Sequence, residues 1–216
     1  MKVEFNNGSA YLGDCLDILQ ISLPNKKYQV IYADPPWEYK SKECLDRTSI
    51  LNGELNTHYN TMPLDSIKKL DVKSISDKNC MLFLWVVSPM LPEGLEVMKS
   101  WGFKYSTIAF VWYKQKSNPG NYTMSECEIC LVGRNGKIPE NRGARNVRQF
   151  LSEMKGEHSA KPNEVKKRIG LMFPSHSKIE LFARQRPEGW DVWGDEIDKE
   201  DPQYKLNFDS DLQKVG

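Results

Sequence analysis

Hydrophobic runs alternate with amphipathic segments along most of this chain. Mostly apolar runs predict buried strands, and they fall at 10–14, 28–34, 80–87, 104–114, 127–133, 178–184 and 190–194. Apolar residues at helical spacing predict helices, and these fall at 15–21, 63–70, 92–102 and 162–173. Strands that are apolar on both faces and separated by helices indicate an α/β fold with a mostly parallel sheet and helices on both faces.

Two long segments interrupt this alternation. Residues 38–62 and 134–161 carry few apolar side chains, and connections of that length in a compact domain are typically lids or binding loops. The second overlaps a basic stretch, since residues 134–168 hold ten Lys or Arg against four Asp or Glu. Such a stretch can form a phosphate-binding edge, or it can be a solvated surface. Residues 188–216 reverse the balance, with nine acidic and three basic side chains, so we predict an acidic tail over 198–216.

The composition is typical of a folded cytoplasmic protein. The 216 residues are 39% hydrophobic and include six tryptophans, which fits one domain with a sizeable core. No apolar run reaches the length of a membrane span, and the N-terminus lacks the apolar core of a signal peptide, so we expect no membrane association. Five cysteines, an odd number, favour the reducing cytoplasm over a disulfide framework.

The stretch IYADPPWEYK, residues 31–40, carries the sharpest chemical signal. It ends a predicted strand, and ligands bind at the carboxyl ends of strands in open α/β sheets. Proline lacks an N–H and holds the preceding residue extended, so we expect Asp34 and Pro35 to present a carboxylate and a carbonyl as free acceptors. Two such acceptors suit an amine, and Trp37 offers a flat face for a base. Acceptors that grip an aromatic amine would stabilise its reactive, tetrahedral form.

Several sequence blocks in a fixed order resemble one enzyme family. The blocks GDCLDIL, ADPPW, HYNTM, LFLWVVSP, ECEICLVG, HSAKPNE and KIELFAR…GWDVWG are similar to those of the MT-A family of adenine methyltransferases. That family includes the catalytic subunit of the eukaryotic messenger-RNA adenosine methyltransferase and many bacterial and phage relatives. The resemblance implies a Rossmann-like methyltransferase fold with a circularly permuted motif order, in which the catalytic DPPW precedes the cofactor-binding strands. It also implies a single methyltransferase domain over residues 1–197.

The resemblance assigns roles to named residues. It implies that the catalytic residues are Asp34, Pro35, Pro36 and Trp37. It implies S-adenosylmethionine as the cofactor, bound by Asp14, Cys15, Asp34, Lys161, Glu180, Phe182, Arg184, Arg186, Asp195 and Glu196. In that set the acids Asp195 or Glu196 would reach the ribose hydroxyls, and the cations would neutralise the methionine carboxylate. The residues expected to bind substrate are Trp37, Tyr59 on the loop over the target base, and the basic-stretch arginines Arg142, Arg145 and Arg148.

Other functions compete with this interpretation. Cys127 and Cys130 form a C-x-x-C, but residues three apart in a strand point to opposite faces, so we expect buried cysteines and no metal site. A catalytically inactive nucleic-acid-binding partner would show a broken motif, and a methyltransferase for a side-chain amide would carry asparagine in place of Asp34. We therefore expect an active N6-adenine methyltransferase. DNA is favoured over RNA, as in compact bacterial and phage relatives, and a homodimer or a related partner subunit stays an open alternative.

Overall fold

The protein is described from a computed structural model that covers residues 2–5, 8–11, 26–38, 61–120, 122–154 and 160–194. The predicted helix over 15–21, residues 39–60 of the segment predicted as a loop over 38–62, and the acidic tail over 198–216 lie outside these residues.

Nine strands form one sheet within the described residues. They are β1 (Lys2–Phe5), β2 (Gly8–Tyr11), β3 (Tyr28–Ala33), β4 (Ser76–Val86), β5 (Lys104–Asn118), β6 (Ser125–Asn135), β7 (Phe150–Ser152), β8 (Lys178–Leu181) and β9 (Asp191–Trp193). The helices described are α1 (Leu64–Lys69), α2 (Val72–Ile75), α3 (Leu91–Ser100) and α4 (Asn163–Met172), with a 3-10 turn at Ser88–Met90.

The sheet is mostly parallel, as predicted. Its strand order is β1-β2-β9-β8-β3-β4-β6-β5-β7. The five parallel pairs are β2 with β9, β9 with β8, β8 with β3, β3 with β4, and β5 with β7. The antiparallel pairs are β1 with β2, β4 with β6, and β6 with β5. The antiparallel β5–β6 hairpin follows from a short connection, whereas the parallel pairs need long crossovers.

Helices cover both faces of the sheet, which confirms the second part of the fold prediction. Along β3, Ile31 and Ala33 point into one core cluster, and Val30 and Tyr32 point into another. The first cluster contains buried side chains of α1, α2 and α3, namely Ile67, Val72, Ile75, Val97 and Met98. The second contains Val165 and Ile169 of α4. The central strands therefore read as continuous apolar runs because each is buried on both sides.

Two local features differ from the predicted pattern. The predicted strand over 178–184 ends at Leu181, because Phe182 adopts a positive φ of 60° that no strand continues. The segment 134–161 contains β7, which pairs with Val111–Tyr113 at the edge of β5. With only three residues, β7 is too short to show a periodic pattern. Its conformation is set by pairing with β5, almost 40 residues earlier in the chain.

Candidate active site

The carboxyl ends of the central parallel strands lie in one row across the sheet. Ala33 pairs with Leu84 of β4 on one side and with Leu181 of β8 on the other, and Leu181 pairs with Trp193 of β9. The chain departs from β3 toward β4 on one side, and β8 and β9 lie on the other. Ligands of open α/β sheets bind at such a reversal of strand order. Asp34 and Phe182 follow the row directly at this point.

The DPPW turn is fixed by three hydrogen bonds. The Trp37 N–H donates to the Pro35 carbonyl at 2.8 Å, and the Met62 N–H donates to the Pro36 carbonyl at 2.8 Å. The Trp37 side chain donates through Nε1 to the backbone carbonyl of Trp85 at 3.1 Å. The expectation that the Pro35 carbonyl is a free acceptor is therefore wrong in part, since the tight turn gives it an internal donor. A carbonyl oxygen has a second lone pair for a ligand.

The Asp34 carboxylate is also engaged. Asp34 Oδ2 accepts from Lys161 Nζ at 2.7 Å, and the same ammonium lies 3.3 Å from Glu128 Oε2. Lys161 lies just before α4, so the start of that helix sets its place over the end of β3. Its ammonium is 5.7 Å from the centroid of the Trp85 ring, whose Nε1–H donates to the Tyr32 hydroxyl. Lys161 is therefore paired with two carboxylates of the chain itself, Asp34 and Glu128.

Burial and charge act in opposite directions on this pair. Burial raises the pKa of the Asp34 carboxyl, and the neighbouring Lys161 ammonium opposes that rise without cancelling it. Burial acts to lower the pKa of Lys161, but the carboxylates Asp34 and Glu128 outweigh it and the pKa is raised. Lys161 therefore stays protonated through the physiological range, and Asp34 is a more basic carboxylate than an exposed aspartate.

The ion pair extends to two residues that the sequence did not single out. Glu128 of β6 presents its second oxygen, Oε1, to Lys114 Nζ of β5 at 3.5 Å. Asp34, Lys161, Glu128 and Lys114 thus form a row of alternating charges. A charged residue in a predicted apolar strand was a usable signal for Glu128, because such a residue needs a buried partner.

Glu180 does not face the carboxyl edge, contrary to its expected role with the cofactor. Both carboxylate oxygens lie within 3.3 Å of Lys166 Nζ on α4, and both residues are buried. Side chains alternate along β8, so Ile179 and Leu181 enter one core and Glu180 faces the helix on the other side. Burial raises the pKa of Glu180, with Lys166 opposing the rise. The pair links α4 to β8.

The turn after β8 carries the other predicted cofactor residues. Phe182 is half-buried with its positive φ, and its ring packs edge-on against Trp193 at 5.2 Å. Arg184 is half-buried, and its charge acts to lower the pKa of Asp34. Arg186 is also half-buried. The Ala183 N–H donates to the Trp193 carbonyl at 2.9 Å, so this turn is tied to the end of β9.

The structure separates the three arginines of the basic stretch. The Gly143 N–H donates to the Met172 carbonyl, at the far end of α4 from Lys161, roughly 15 Å away for a helix of this length. Arg142 packs there against the Phe173 ring at 5.2 Å, so it does not lie beside the catalytic edge as predicted. Arg145 and Arg148 are exposed.

The remaining predicted site residues lie outside the part of the chain that the structure describes. They are Asp14, Cys15, Tyr59, Asp195 and Glu196. Cys127 and Cys130 are free thiols, and Cys130 packs in the core. In the described part of the chain, no group of three or more His, Cys, Asp or Glu is arranged to hold a metal ion. No helix among these residues is long and apolar enough to cross a membrane.

Comparison with known proteins gives a consistent family assignment. The family model described as MT-A70 matches residues 28–196. The chain is 47% identical over 193 residues to the type II methyltransferase M.MunI of a Mycoplasma species, covering 84% of this chain and 83% of that protein. It is 26% identical over 196 residues to the human N(6)-adenosine-methyltransferase catalytic subunit METTL3, covering 85% of this chain and 31% of that protein. It is 28% identical over 181 residues to a Medicago truncatula protein named "Putative N(6)-adenosine-methyltransferase MT-A70-like", covering 79% of this chain and 26% of that protein.

Proposed function

Because the chain belongs to the MT-A70 family, we propose that it transfers a methyl group from S-adenosylmethionine to the exocyclic N6 amine of adenine in DNA. The chain is a methyltransferase of nucleic-acid adenine. The single observation that carries the proposal is the position of Asp34: a carboxylate at the switch point of the sheet, one residue beyond the buried strand β3, in a turn that also aims the Pro35 carbonyl and the Trp37 ring.

The chemistry of the edge fits the proposed cofactor. S-adenosylmethionine, when bound, supplies a methyl group on a sulfonium cation. Among the described residues, Asp34, Lys161, Phe182 and Arg184 come together from the ends of β3 and β8 and the start of α4. Carboxylate and cationic groups here match an ammonium and a carboxylate of a methionine moiety. Glu180 is left out, because its carboxylate is held by Lys166.

The chain's own residues then act by holding the amine. Asp34, through the oxygen not bonded to Lys161, and Pro35, through its second lone pair, can accept the two N–H groups of an adenine amine. Trp37 can stack on the base, with its indole N–H held by Trp85. Because an adenine inside a duplex cannot reach this edge, the base must be extruded or unpaired. Fixing the amine before reaction lowers the barrier by positioning and preorganised dipoles.

The proposed substrate, fold order and cellular context rest on separate observations. DNA is favoured because the relative at 47% identity is named a type II methyltransferase, the class name of DNA modification enzymes, and the adenosine methyltransferases are less similar. A permuted motif order is supported by β3 with Asp34 preceding β8 and β9, which lie beside it in the sheet. We further propose a cytoplasmic enzyme, on its free cysteines, and binding of substrate by Arg145 and Arg148.

The proposal is tested by methyl transfer from labelled S-adenosylmethionine. Unmethylated duplex DNA, the same DNA after denaturation, and RNA are the substrates, and the modified base is identified by mass spectrometry of nucleosides. We expect N6-methyladenine, formed fastest on duplex DNA, and a loss of several orders of magnitude for Asp34→Ala with unchanged circular dichroism. Faster transfer to RNA would reassign the substrate. Normal transfer by folded Asp34→Ala would overturn the site.

A further inference from the structure

The row of charges at the catalytic edge ends in a buried lysine, Lys114. Glu128 meets one cation with each carboxylate oxygen: Lys161 at 3.3 Å and Lys114 at 3.5 Å. The side chains of Lys114 and Glu128 are only 8% and 13% exposed. Lysine is rarely buried to this degree unless a partner compensates its charge. The mechanism above gives this pair no role.

Strand alternation turns Lys114 inward, onto the same face of β5 as the buried Phe110 and Trp112. The next residue, Gln115, has a positive φ of 53°, and the register between β5 and β6 shifts between Tyr113 and Asn118. Such a bulge re-aims side chains and is common beside active sites. Residues 115–120 beyond the bulge are exposed, whereas Lys114 is buried. The strand therefore accepts an unfavourable backbone conformation at the point where Lys114 enters the site.

The charges explain what Lys114 does there. Asp34 and Glu128 are two carboxylates beside one ammonium, that of Lys161, and without another cation they would compete for it. Lys161 Nζ lies 2.7 Å from Asp34 Oδ2 and 3.3 Å from Glu128 Oε2, so its ammonium is paired more closely with Asp34. Lys114 supplies the second cation, which balances two positive charges against two negative ones.

We propose that Lys114 is a positioning residue for methyl transfer: it neutralises Glu128, which leaves the Lys161 ammonium on Asp34 and keeps the Asp34 carboxylate ionised. Lys114 acts through Glu128 and Lys161 and does not touch the substrate. The inference depends on the proposed function only for the use of Asp34 as the acceptor of the adenine amine. The row of charges itself depends only on contacts within the chain.

Other groups also act on Asp34, and they stay unchanged when Lys114 is replaced. Arg184 lowers the pKa of Asp34, and Glu128 raises it. Further described groups that interact with the Asp34 charge are Glu180, Tyr32 and Cys130. Since these groups are the same in a Lys114 variant and in the wild type, a change in Asp34 titration reports on the row of charges.

The direct experiment follows the Asp34 carboxyl by NMR in protein labelled with ¹³C-aspartate, without cofactor or DNA. The Asp34 signal is assigned by its absence in Asp34→Asn. In Lys114→Met, Lys161 should shift toward Glu128, and the Asp34 titration midpoint should rise by on the order of half a pH unit. A directly neighbouring charge shifts a carboxyl by about 1–3 units, and Lys114 acts one partner further away. Lys114→Gln is the second variant, used if Lys114→Met does not fold.

Two controls separate positioning from packing. In the double variant Lys114→Met/Glu128→Gln the competing carboxylate is gone, so the Asp34 midpoint should fall back to the wild-type value or below it. Lys116→Met removes an exposed cation two residues along the same strand and should leave the midpoint unchanged. An unchanged midpoint in folded Lys114→Met, or no reversal in the double variant, overturns the proposal.

Activity gives a second reading of the same variants. The acid limb of the single-turnover rate against pH should move to higher pH in Lys114→Met, with the rate recovering on the alkaline side, and Lys114→Arg should restore the wild-type profile. A purely structural role would lower the rate equally at every pH. If no nucleic acid is methylated but the NMR midpoints move as expected, the proposed function fails, and what stands is the effect of Lys114 on Asp34 through Glu128 and Lys161.

Discussion

The Trp37 ring packs against the first core, and its indole Nε1 donates to the Trp85 carbonyl at 3.1 Å. Trp37→Phe keeps an aromatic face but loses this hydrogen bond. We expect the activation free energy of methyl transfer to rise by about 0.5–1.5 kcal/mol, which lowers the single-turnover rate by up to roughly tenfold. Trp37→Ala loses the face as well, and DNA affinity should fall by about 1–3 kcal/mol. Methyl-transfer rates and fluorescence anisotropy with labelled DNA measure the two effects.

A matched control exists in the core. Trp101 makes the same kind of bond, from Nε1 to the Ile67 carbonyl at 2.9 Å, and is fully buried away from the edge. Trp101→Phe should lower the free energy of unfolding and leave transfer by the folded enzyme unchanged. If Trp37→Phe also changes only stability, the indole is structural and does not position a base.

Single residues show how far the sequence predicts this site. The position of Asp34 and Trp37 in a turn after a strand was predictable, because prolines restrict the backbone locally and the strand before them is a continuous apolar run. The ion-pair partners of Lys161 could not be predicted. Lys161 and Asp34 are 127 residues apart, and the local sequence does not indicate which carboxylate a lysine pairs with. Glu180 shows the converse: the family resemblance implied a cofactor ligand, but strand alternation aims its side chain at Lys166 on α4.

The loop that holds the three arginines spans from the far end of α4 toward its start, so its residues should act differently. Arg168 Nη1 donates to the Arg148 carbonyl, and its Nε pairs with Glu164 in the first turn of α4. Arg148 therefore lies closer to the catalytic edge than Arg142. We expect Arg145→Ala and Arg148→Ala to weaken DNA binding and to reduce the salt slope by about one unit for each phosphate that the variant no longer binds.

Arg142→Ala serves as the contrast within the same loop. Its guanidinium packs on the buried Phe173 ring, so it should lower the free energy of unfolding by about 1 kcal/mol and leave the salt slope unchanged. Anisotropy titrations over a range of salt concentrations, beside urea unfolding, measure both. Salt slopes equal to the wild-type slope in all three variants would make the whole stretch a solvated surface.

Directly after β9, a glycine lets its backbone approach the turn that follows β8. A Cβ added at Gly194 would lie 2.3 Å from the Ala183 carbonyl oxygen, so Gly194→Ala must displace the turn that carries Phe182 and Arg184. We expect a lower free energy of unfolding and weaker binding of S-adenosylhomocysteine by calorimetry. The control is Gly170→Ala in α4, where nothing lies within 4 Å. Alanine there should stabilise the protein by about 0.5–1 kcal/mol, with ligand binding unchanged.

At this scale the sequence predicts long elements better than turns. Strands β3 and β4 follow from continuous apolar runs, because each is buried on both faces, and helices α3 and α4 follow from helical periodicity, because each buries one face. The positive φ of Phe182 and Gln115 could not be predicted, because aromatic and long side chains carry no left-handed preference. Phe182 lies directly after β8, and Gln115 lies at the register shift within β5. Local rules fail most where contacts from other elements hold the backbone for a site.

Two cores, one on each face of the sheet, stabilise the whole molecule. The catalytic edge at the carboxyl ends of the strands instead lowers the free energy of unfolding. Asp34 is a clear case, because burial raises the pKa of its carboxyl in the folded state. The folded protein then binds more protons than the unfolded chain between the ordinary carboxyl range, near ~3.9, and the raised value. Stability contributed by Asp34 therefore falls as pH rises through this window. Ionised Asp34 costs folding free energy at neutral pH.

Asn is a neutral stand-in for the protonated carboxyl, which gives a prediction for stability that is separate from activity. Asp34→Asn should show a higher urea midpoint than the wild type at pH 8, and the difference should shrink as pH falls toward 4, where wild-type Asp34 takes up its proton. Urea unfolding of both proteins across this range measures it. A loss of stability in Asp34→Asn at pH 8 would mean that the Lys161 ion pair outweighs burial. The expected gain, together with lost methyl transfer, would mark Asp34 as a residue kept for catalysis at the expense of the fold.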